Sequence, residues 1–289
     1  MYMKVKLILE SNYFNSTFSK TKLKKMKNKA LLVGINKYPD PQNELRGCIN
    51  DILDMEHFIA ETNKVYAKQN IKKLTDKEAT KKGIVTQIKW LLDGAQPGDQ
   101  LLFHYSGHGA QVPTLNQNLE PDGLDEIICP YDFSGQGENA LRDKEFAQLF
   151  AGIPKGVHFV WISDSCHAED LSRDIHTKEA IIYRQFQGAT INNHERLPAT
   201  TSDHYNAITT PLNGALLSAC ASHELSADAY INKRFNGAFT HYLIKNLLQY
   251  SDSKNMQSIV QLVNVDLDKN GYDQNPESEG KLQNDFFFL

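Results

Sequence analysis

The sequence has few cysteines, almost no net charge and no long apolar run. Its 289 residues include four cysteines, none of them in a CxxC pair. This excludes a disulfide-rich secreted scaffold and gives no paired-cysteine zinc motif, so we expect free thiols in a reducing, cytoplasmic setting. The formal net charge of −4 gives no reason to expect a nucleic-acid partner. No apolar run approaches the roughly 18 residues of a membrane-spanning helix, so no membrane contact is expected.

The first 28 residues differ from the rest of the chain in their charge. They contain seven lysines and one acidic residue, Glu10. The apolar run after Lys4 is too short for a secretory signal, and no small-residue cleavage site follows it. We therefore predict a disordered basic leader over residues 1–28, with Met26 as an alternative start of the chain.

From residue 29 onward, strand patterns alternate with helix patterns. Apolar runs predict strands at 30–35, 71–74, 100–105, 157–163 and 215–219. Helical spacing covers 47–61, the segment capped by Thr80, the segment that begins at Asp143, and 237–248. Strands separated by helices usually pair in parallel, so the pattern predicts an α/β fold with a mainly parallel sheet and helices on both faces.

Two of the predicted strands lead directly into reactive side chains. The strand QLLFHY runs into Ser-Gly-His108-Gly109, and VHFVWIS runs into Asp-Ser-Cys166. Because the carboxyl ends of parallel strands meet at one edge of a sheet, His108 and Cys166 are expected side by side. A thiol is mostly protonated at neutral pH and benefits from a nearby base. The pattern predicts Cys166 as nucleophile and His108 as base, with the N–H groups of Gly109 and Cys166 as oxyanion-hole donors.

These motifs, YSGHGAQ at 105–111 and DSCH at 164–167, resemble the paired catalytic motifs of the metacaspases, which are caspase relatives of peptidase family C14. The spacing of His and Cys is close to the roughly 50 residues seen in caspases, but the caspase motif QACxG is absent. Further matching segments lie at 29–38, 45–51, 120–133, 216–228 and 237–240. The resemblance implies a caspase-like fold with a mainly parallel six-stranded sheet flanked by helices. It also implies a large-subunit-like part at 29–170, a linker at 171–211 and a small-subunit-like part at 212–289.

The resemblance implies a cysteine endopeptidase that cleaves after Arg or Lys through a thioester acyl-enzyme. Its S1 pocket, which holds the side chain before the cleaved bond, would be formed by Asp51 and Asp164, with Cys48 and Ser106 as lining residues. Two carboxylates would attract a guanidinium or ammonium group and repel an acidic one. The expected partners are therefore proteins or peptides with a basic residue at that position, and by analogy the enzyme is monomeric.

Many metacaspases require calcium, and the resemblance offers Asp143, Asp170 and Asp174 as candidate ligands. Here a lysine, Lys144, interrupts the acidic motif and would repel Ca²⁺, so no cofactor is expected to be required. A second pattern, from Asp266 to Gly271 and then Glu277, fits an EF-hand loop at its ligand positions. Asp273 and Pro276 fit such a loop and its second helix poorly, so we do not expect a working EF-hand.

The linker 171–211 permits two interpretations. It is an ordinary polar surface insertion, or it is a site of self-cleavage, as the equivalent segment often is in the family. Cleavage would follow one of its basic residues, which include Arg173, Lys178, Arg184 and Arg196. Two other functions also stay open. The chain is an inactive caspase-like scaffold, or it is a related peptidase with another preference before the cleaved bond.

Overall fold

Twelve strands and five helices make up the regular structure of the residues described by the computed structural model, which are 26–114, 124–135, 137–166, 181–189, 212–221 and 224–289. The strands are β1 (Lys29–Gly34), β2 (Ile71–Thr75), β3 (Gln100–Ser106), β4 (Gly109–Pro113), β5 (Leu124–Ile128), β6 (Leu141–Arg142), β7 (His158–Asp164), β8 (Ile182–Tyr183), β9 (Ala215–Ser218), β10 (Ala227–Ile231), β11 (Arg234–Gly237) and β12 (Glu277–Glu279). The helices are α1 (Cys48–His57), α2 (Lys81–Leu92), α3 (Asp143–Phe150), α4 (Ala238–Tyr250) and α5 (Met256–Lys269).

The central sheet has six strands in the order β12-β9-β7-β3-β1-β2. All neighbours pair in parallel except β12, which runs antiparallel to β9. The strands of the predicted large-subunit-like and small-subunit-like parts therefore share one sheet, joined where β7 pairs with β9. The predicted α/β fold with a mainly parallel six-stranded sheet is confirmed.

Helices cover both faces of this sheet because the buried residues of each strand alternate between two apolar clusters. Leu31 and Val33 of β1 pack in one cluster, whereas Ala30 and Leu32 pack in the other. Helices α2 and α3 contribute to the first cluster, and α1, α4 and α5 contribute to the second. A strand that is buried on both faces must be apolar at nearly every position, which explains the continuous apolar runs in the sequence.

Side-chain caps fix the starts of two helices. Thr80 accepts a hydrogen bond from the backbone of Gly83 at the start of α2, as its position in the sequence predicts. Asn255 accepts one from Ser258 at the start of α5 at 2.9 Å. Such caps satisfy backbone donors that the helix itself cannot pair.

The EF-hand pattern does not form a calcium loop. Asp266 and Asp268 lie within α5, and Glu277 begins strand β12. The helix continues through this region because apolar side chains on one face, such as Val263 and Leu267, stay buried in the core. Asp266 instead pairs with Lys245 and accepts a hydrogen bond from Asn246.

Two small three-stranded sheets, β4-β5-β6 and β11-β10-β8, lie beyond the central sheet. In the sequence, each small sheet includes a strand that comes soon after a strand of the central sheet. Strand β4 begins at Gly109, directly after His108, and β10 follows β9. The sequence analysis predicted neither sheet, because most of their strands are short and mixed in polarity. No helix among the described residues has the length and apolar character needed to cross a membrane.

We predict that Phe150→Ala lowers the free energy of unfolding by about 3–5 kcal/mol, since it removes a large buried side chain from a packed aromatic cluster. The Phe150 ring lies 4.8 Å from that of Phe159 and 5.5 Å from that of Trp161, measured between centroids. Urea denaturation measures the change. Leu248→Ala on the exposed side of α4 is the matched control, with an expected change within about 0.5 kcal/mol. Equal losses in the two variants would contradict the assigned core.

Candidate active site

His108 and Cys166 follow two adjacent strands of the central sheet. Ser106 at the end of β3 pairs in register with Asp164 at the end of β7, and each reactive residue lies two positions further on. Both side chains are buried. The expectation that parallel strands bring them to one edge of the sheet agrees with this register.

The His108 imidazole is neutral, and its orientation is fixed. Its Nε2 atom lies 2.9 Å from the carbonyl oxygen of Asn43, which can only accept a hydrogen bond, so Nε2 carries the proton. The other nitrogen, Nδ1, is buried, and none of the described residues forms a hydrogen bond with it. Burial lowers the pKa of His108 to about 4, although the Asn43 and Arg184 backbones act in the opposite direction. Nδ1 therefore has a free lone pair in the tautomer that a general base requires.

The Cys166 thiol faces the backbone of Ser226. The Ser226 N–H donates to Sγ at 2.8 Å, and Sγ lies 3.4 Å from the Ser226 carbonyl oxygen. Cys220 also interacts with the Cys166 side chain and its pKa is raised by that contact. Among the described residues, no hydrogen bond joins Sγ to His108, so direct proton sharing between the two stays a prediction.

The carbonyl group of Arg184, a linker residue, lies at both predicted oxyanion donors. Its oxygen accepts hydrogen bonds from the N–H of Gly109 at 3.0 Å and from the N–H of Cys166 at 3.4 Å. The Arg184 backbone also acts on the His108 imidazole. The predicted nucleophile, base and oxyanion donors therefore surround one peptide group, that between Arg184 and Gln185.

The Arg184 side chain occupies the predicted S1 pocket and is completely buried. Its Nη2 lies 2.7 Å from Asp51 Oδ2, and its Nη1 lies 3.0 Å from Asp164 Oδ1. Nη1 also donates to Ser106 Oγ at 2.7 Å. The Cys48 thiol is buried nearby, where burial raises its pKa and the Arg184 charge opposes that shift. The structure thus brings together all four predicted pocket residues.

A third carboxylate, which the sequence analysis missed, completes the pocket. Asp228 on β10 lies 3.2 Å from Arg184 Nη2 through its Oδ1 atom. It also accepts hydrogen bonds from the backbone of Arg46 and Gly47, which precede α1. Its segment, 216–228, matched the family, but a single aspartate on a short strand carries no signal of where it points.

The electrostatics of the pocket depend on the guanidinium. Burial raises the pKa of Asp51 to about 7, and Asp164 adds to the rise while Arg184 opposes it. Burial acts to lower the pKa of Arg184, but Asp164, Asp51 and Asp228 hold it above its usual value. Three buried carboxylates without a cation would repel one another, so the pocket is built for a positive ligand.

Hydrogen bonds hold the carboxylates in place. Asp51 Oδ1 accepts from the backbone N–H of Gly237 at 2.9 Å, and Asp164 Oδ2 accepts from Thr240 Oγ1 at 2.6 Å. Ser226 Oγ donates to Asp164 Oδ1 at 2.7 Å. A Cβ atom at Gly237 would collide with the Asp164 carboxylate and the guanidinium, which explains the glycine there. The carboxylates are therefore held by the protein as well as by the guanidinium.

The linker segment lies in the site as an added strand. Tyr183 in β8 pairs antiparallel with Ala227 in β10, and the Arg184 N–H donates to the Ser226 carbonyl at 3.0 Å. Extended peptides commonly bind to the edges of sheets in this way. Around Arg184 the linker is therefore a half-buried strand followed by a buried arginine, and not the ordinary surface insertion considered above. Arg173, Lys178 and Arg196 lie outside the described residues.

Of the three candidate calcium ligands, the structure describes Asp143, which lies beside Lys144. Asp170 and Asp174 lie outside the described residues. Lys144 Nζ is 3.7 Å from Asp143 Oδ1 and also pairs with Asp125. Arg142 contributes a second cation, 2.6 Å from Asp125. Within the described part of the chain, no group of three His, Cys, Asp or Glu side chains is arranged to hold a metal.

Comparisons with known proteins point to one family. A family model described as "Metacaspase, peptidase C14 domain" matches residues 28–173. Metacaspase-1 of Cryptococcus neoformans is 33% identical over 290 residues, which cover 87% of this chain and 62% of that protein. Metacaspase-1 of Meyerozyma guilliermondii is 30% identical over 289 residues, with coverages of 87% and 68%.

Other matches are more local or structural. Metacaspase-1 of Pyricularia oryzae is 41% identical over 148 residues, which cover 49% of this chain and 36% of that protein. The chain thus matches only about a third of the length of that relative. The crystal structure of a protein from Geobacter sulfurreducens aligns with a TM-score of 0.63 at 26% identity, covering 87% of this chain and 92% of that one.

We predict that Cys166 in the intact chain reacts slowly with iodoacetamide and that Arg184→Ala accelerates the reaction. The reason is that the arginine anchors a segment that binds the Cys166 N–H and pairs beside Ser226, and the Cys166 side chain is completely buried. Mass spectrometry of the Cys166 peptide over time measures the rate. Cys129, which is buried outside the pocket, is the internal control. Acceleration at both cysteines would indicate unfolding, and no acceleration at Cys166 would contradict the account.

Proposed function

Because the chain belongs to the metacaspase family, we propose that it is a cysteine endopeptidase that cleaves peptide bonds after arginine or lysine. The observation that carries the proposal is the burial of Arg184 between three carboxylates, with its carbonyl oxygen at the N–H groups of Gly109 and Cys166. A bound substrate with arginine before the cleaved bond would make the same contacts. Proteins and peptides with a basic residue are the proposed substrates, acted on by a monomer.

In the proposed mechanism, Cys166 Sγ attacks the carbonyl carbon of the basic residue while the thiol proton passes to His108 Nδ1. The N–H groups of Gly109 and Cys166 stabilise the negative charge that develops on the carbonyl oxygen. His108 then returns the proton to the leaving amine, and the carbon–nitrogen bond breaks to give a thioester. Water, deprotonated by His108, hydrolyses the thioester and restores the thiol.

The position of the Cys166 thiol is consistent with an uncut linker. It faces Ser226, so it must rotate towards the carbonyl before it can attack. Catalytic hydrogen bonds are often long or misaligned before the reactive complex forms. The low pKa of His108, about 4, keeps the imidazole in its basic form throughout the neutral range.

The pocket favours arginine over lysine in this proposal. Nη2 contacts Asp51 and Asp228, whereas Nη1 contacts Asp164 and Ser106, so the two nitrogens satisfy different partners. A lysine has one nitrogen and cannot reach both sets of groups in the same geometry. An acidic side chain would bring a further negative charge among three carboxylates and is disfavoured.

No metal is part of this proposal. Lys144 pairs with Asp143 at the start of α3, and both Lys144 and Arg142 pair with Asp125 on β5, so these described acidic groups already have cationic partners. The cleavage steps use only the thiol, the imidazole and backbone N–H groups of this chain. An inactive scaffold would have the same geometry without turnover, and a peptidase of another preference would need a different pocket charge.

We predict that a fluorogenic peptide ending in arginine is cleaved, that a lysine peptide is cleaved more slowly, and that an aspartate peptide is not cleaved. The charge of the pocket is the physical reason. Initial rates with each peptide, with calcium and with a chelator, measure the effect. The Cys166→Ala protein is the control for contaminating proteases. Equal release by both proteins would support the scaffold hypothesis, and faster cleavage of the aspartate peptide would support another specificity.

We also predict self-cleavage of the bond between Arg184 and Gln185. The intact mass of purified protein should give way to fragments that end at Arg184 and begin at Gln185, and Cys166→Ala should abolish them. Arg184→Lys should slow this cut and Arg184→Gln should prevent it, since the glutamine has no charge for the pocket. The lysine variant controls for loss of packing. A first cut at another basic residue, with this bond intact, would contradict the assignment.

A further inference from the structure

The segment that follows Arg184 also contacts the site. Phe186, the second residue after the proposed cleaved bond, is nearly buried. Its N–H donates to the carbonyl of Gly109 at 3.2 Å, and Gln185 forms a parallel bridge with Gly109. The contacts of the linker therefore continue past the bond that the proposed mechanism would break.

The Phe186 ring enters a pocket with aromatic walls. Its centroid lies 4.8 Å from that of Phe133, at an interplanar angle of 70°. It lies 5.8 Å from both the Tyr38 ring and the His108 imidazole, with angles of 77° and 84°. All three are edge-to-face contacts, which aromatic rings prefer and which stabilise beyond the burial of area. Gly135 has a positive φ of +81°, and a Cβ there would lie 3.0 Å from the Gly188 carbonyl, close to the Phe186 ring.

Asn43 binds the backbone one residue further on. Its Oδ1 accepts from the Gln187 N–H at 2.7 Å, and its Nδ2 donates to the Gln187 carbonyl at 3.3 Å. These two hydrogen bonds bind the backbone of Gln187 and do not involve its side chain. The carbonyl of Asn43 itself holds His108 Nε2. One buried residue thus contacts both the peptide and the proposed base.

We propose that these residues form a binding subsite for the substrate downstream of the cleaved bond, which selects an aromatic residue at the second position after cleavage. The inference rests on the proposed function, because it concerns the substrates of the same site. Phe133, Tyr38 and Gly135 form the aromatic pocket, and Asn43 aligns the following backbone. The preferred substrates carry arginine before the cleaved bond and phenylalanine or a similar ring at the second position after it.

The test compares two internally quenched peptides in the wild-type protein. One carries Ile-Tyr-Arg-Gln-Phe-Gln, the sequence of 182–187, and the other replaces Phe by Ala. We expect kcat/KM to be higher for the Phe peptide by roughly tenfold or more, because burial of the ring is lost in the other. A third peptide with proline in place of the final glutamine lacks the N–H that Asn43 accepts and should also be cleaved more slowly. Equal values for the Phe and Ala peptides would overturn the proposal.

A protein variant tests whether the Phe133 ring is responsible for the preference for phenylalanine. In Phe133→Ala the ratio of the two kcat/KM values should fall severalfold, and in Phe133→Leu it should fall less. Because each ratio is taken within one protein, a partial loss of folded enzyme cancels. An unchanged ratio in Phe133→Ala would show that this pocket does not carry the preference.

A binding measurement separates this proposal from the proposed function. The Cys166→Ala protein that also carries Arg184→Ala and Phe186→Ala lacks the nucleophile and both linker side chains that fill the site. Tighter binding of the Phe peptide than of the Ala peptide, measured by isothermal titration, would support the subsite even if no peptide were cleaved. Equal affinities would overturn it. Cleavage of the arginine fluorogenic peptide, which has no residues in this subsite, tests the peptidase activity alone.

Discussion

The guanidinium of Arg184 and its three carboxylates are the interaction on which the rest of the site depends. Asp51, Asp164 and Asp228 come from α1, β7 and β10, which are distant in sequence. A buried cation and its partners lose their hydrogen bonds to water, and hydrogen bonds within the protein must replace them. The carboxylates also accept from the backbone N–H groups of Gly237, Arg46 and Gly47 and from the hydroxyls of Ser226 and Thr240. Among the described residues, only the Nε atom of the guanidinium group has no partner. The pocket therefore fixes how the central sheet and the small sheet of β10 lie together.

Placement of one side chain determines the placement of a whole peptide. Once the Arg184 side chain is in the pocket, its carbonyl reaches the N–H groups of Gly109 and Cys166, and its own N–H reaches Ser226. The residues before it then pair with β10, and those after it reach Phe133 and Asn43. The same chain thus presents a site and a ligand for it. This arrangement connects specificity, protection of the thiol and self-cleavage through one set of contacts.

Sequence patterns predicted the fold well where burial is strong and local. The apolar runs of β1, β3 and β7 and the helical face of α2 each appear within a residue or two of their predicted bounds. The family resemblance predicted the pocket residues, which are Asp51, Asp164, Cys48 and Ser106. Asp228 was not predicted, because its position depends on the pairing of β10 with β8. Short strands of mixed polarity do not indicate such a pairing in the sequence. The EF-hand pattern does not form a calcium loop, because apolar spacing and not ligand spacing decides whether the residues continue a helix.

The sequence also did not predict which residue occupies the pocket. Four basic residues of the linker were equivalent by composition. The structure describes Arg184, and its tertiary contacts place it in the pocket. The neighbouring Phe186 carried no signal at all, yet it contacts the proposed base. Long-range pairing between a linker and a pocket has no periodicity that a sequence pattern could record.

The most direct measurement compares two peptides that differ only by arginine or citrulline before the cleaved bond. Citrulline has nearly the same shape as arginine but no charge, so the comparison isolates the attraction by Asp51, Asp164 and Asp228. The account predicts that kcat/KM for the arginine peptide is higher by roughly 100-fold or more, as expected when one member of a buried charged pair is removed. Similar values for the two peptides would show that charge does not select the substrate and would contradict the central claim.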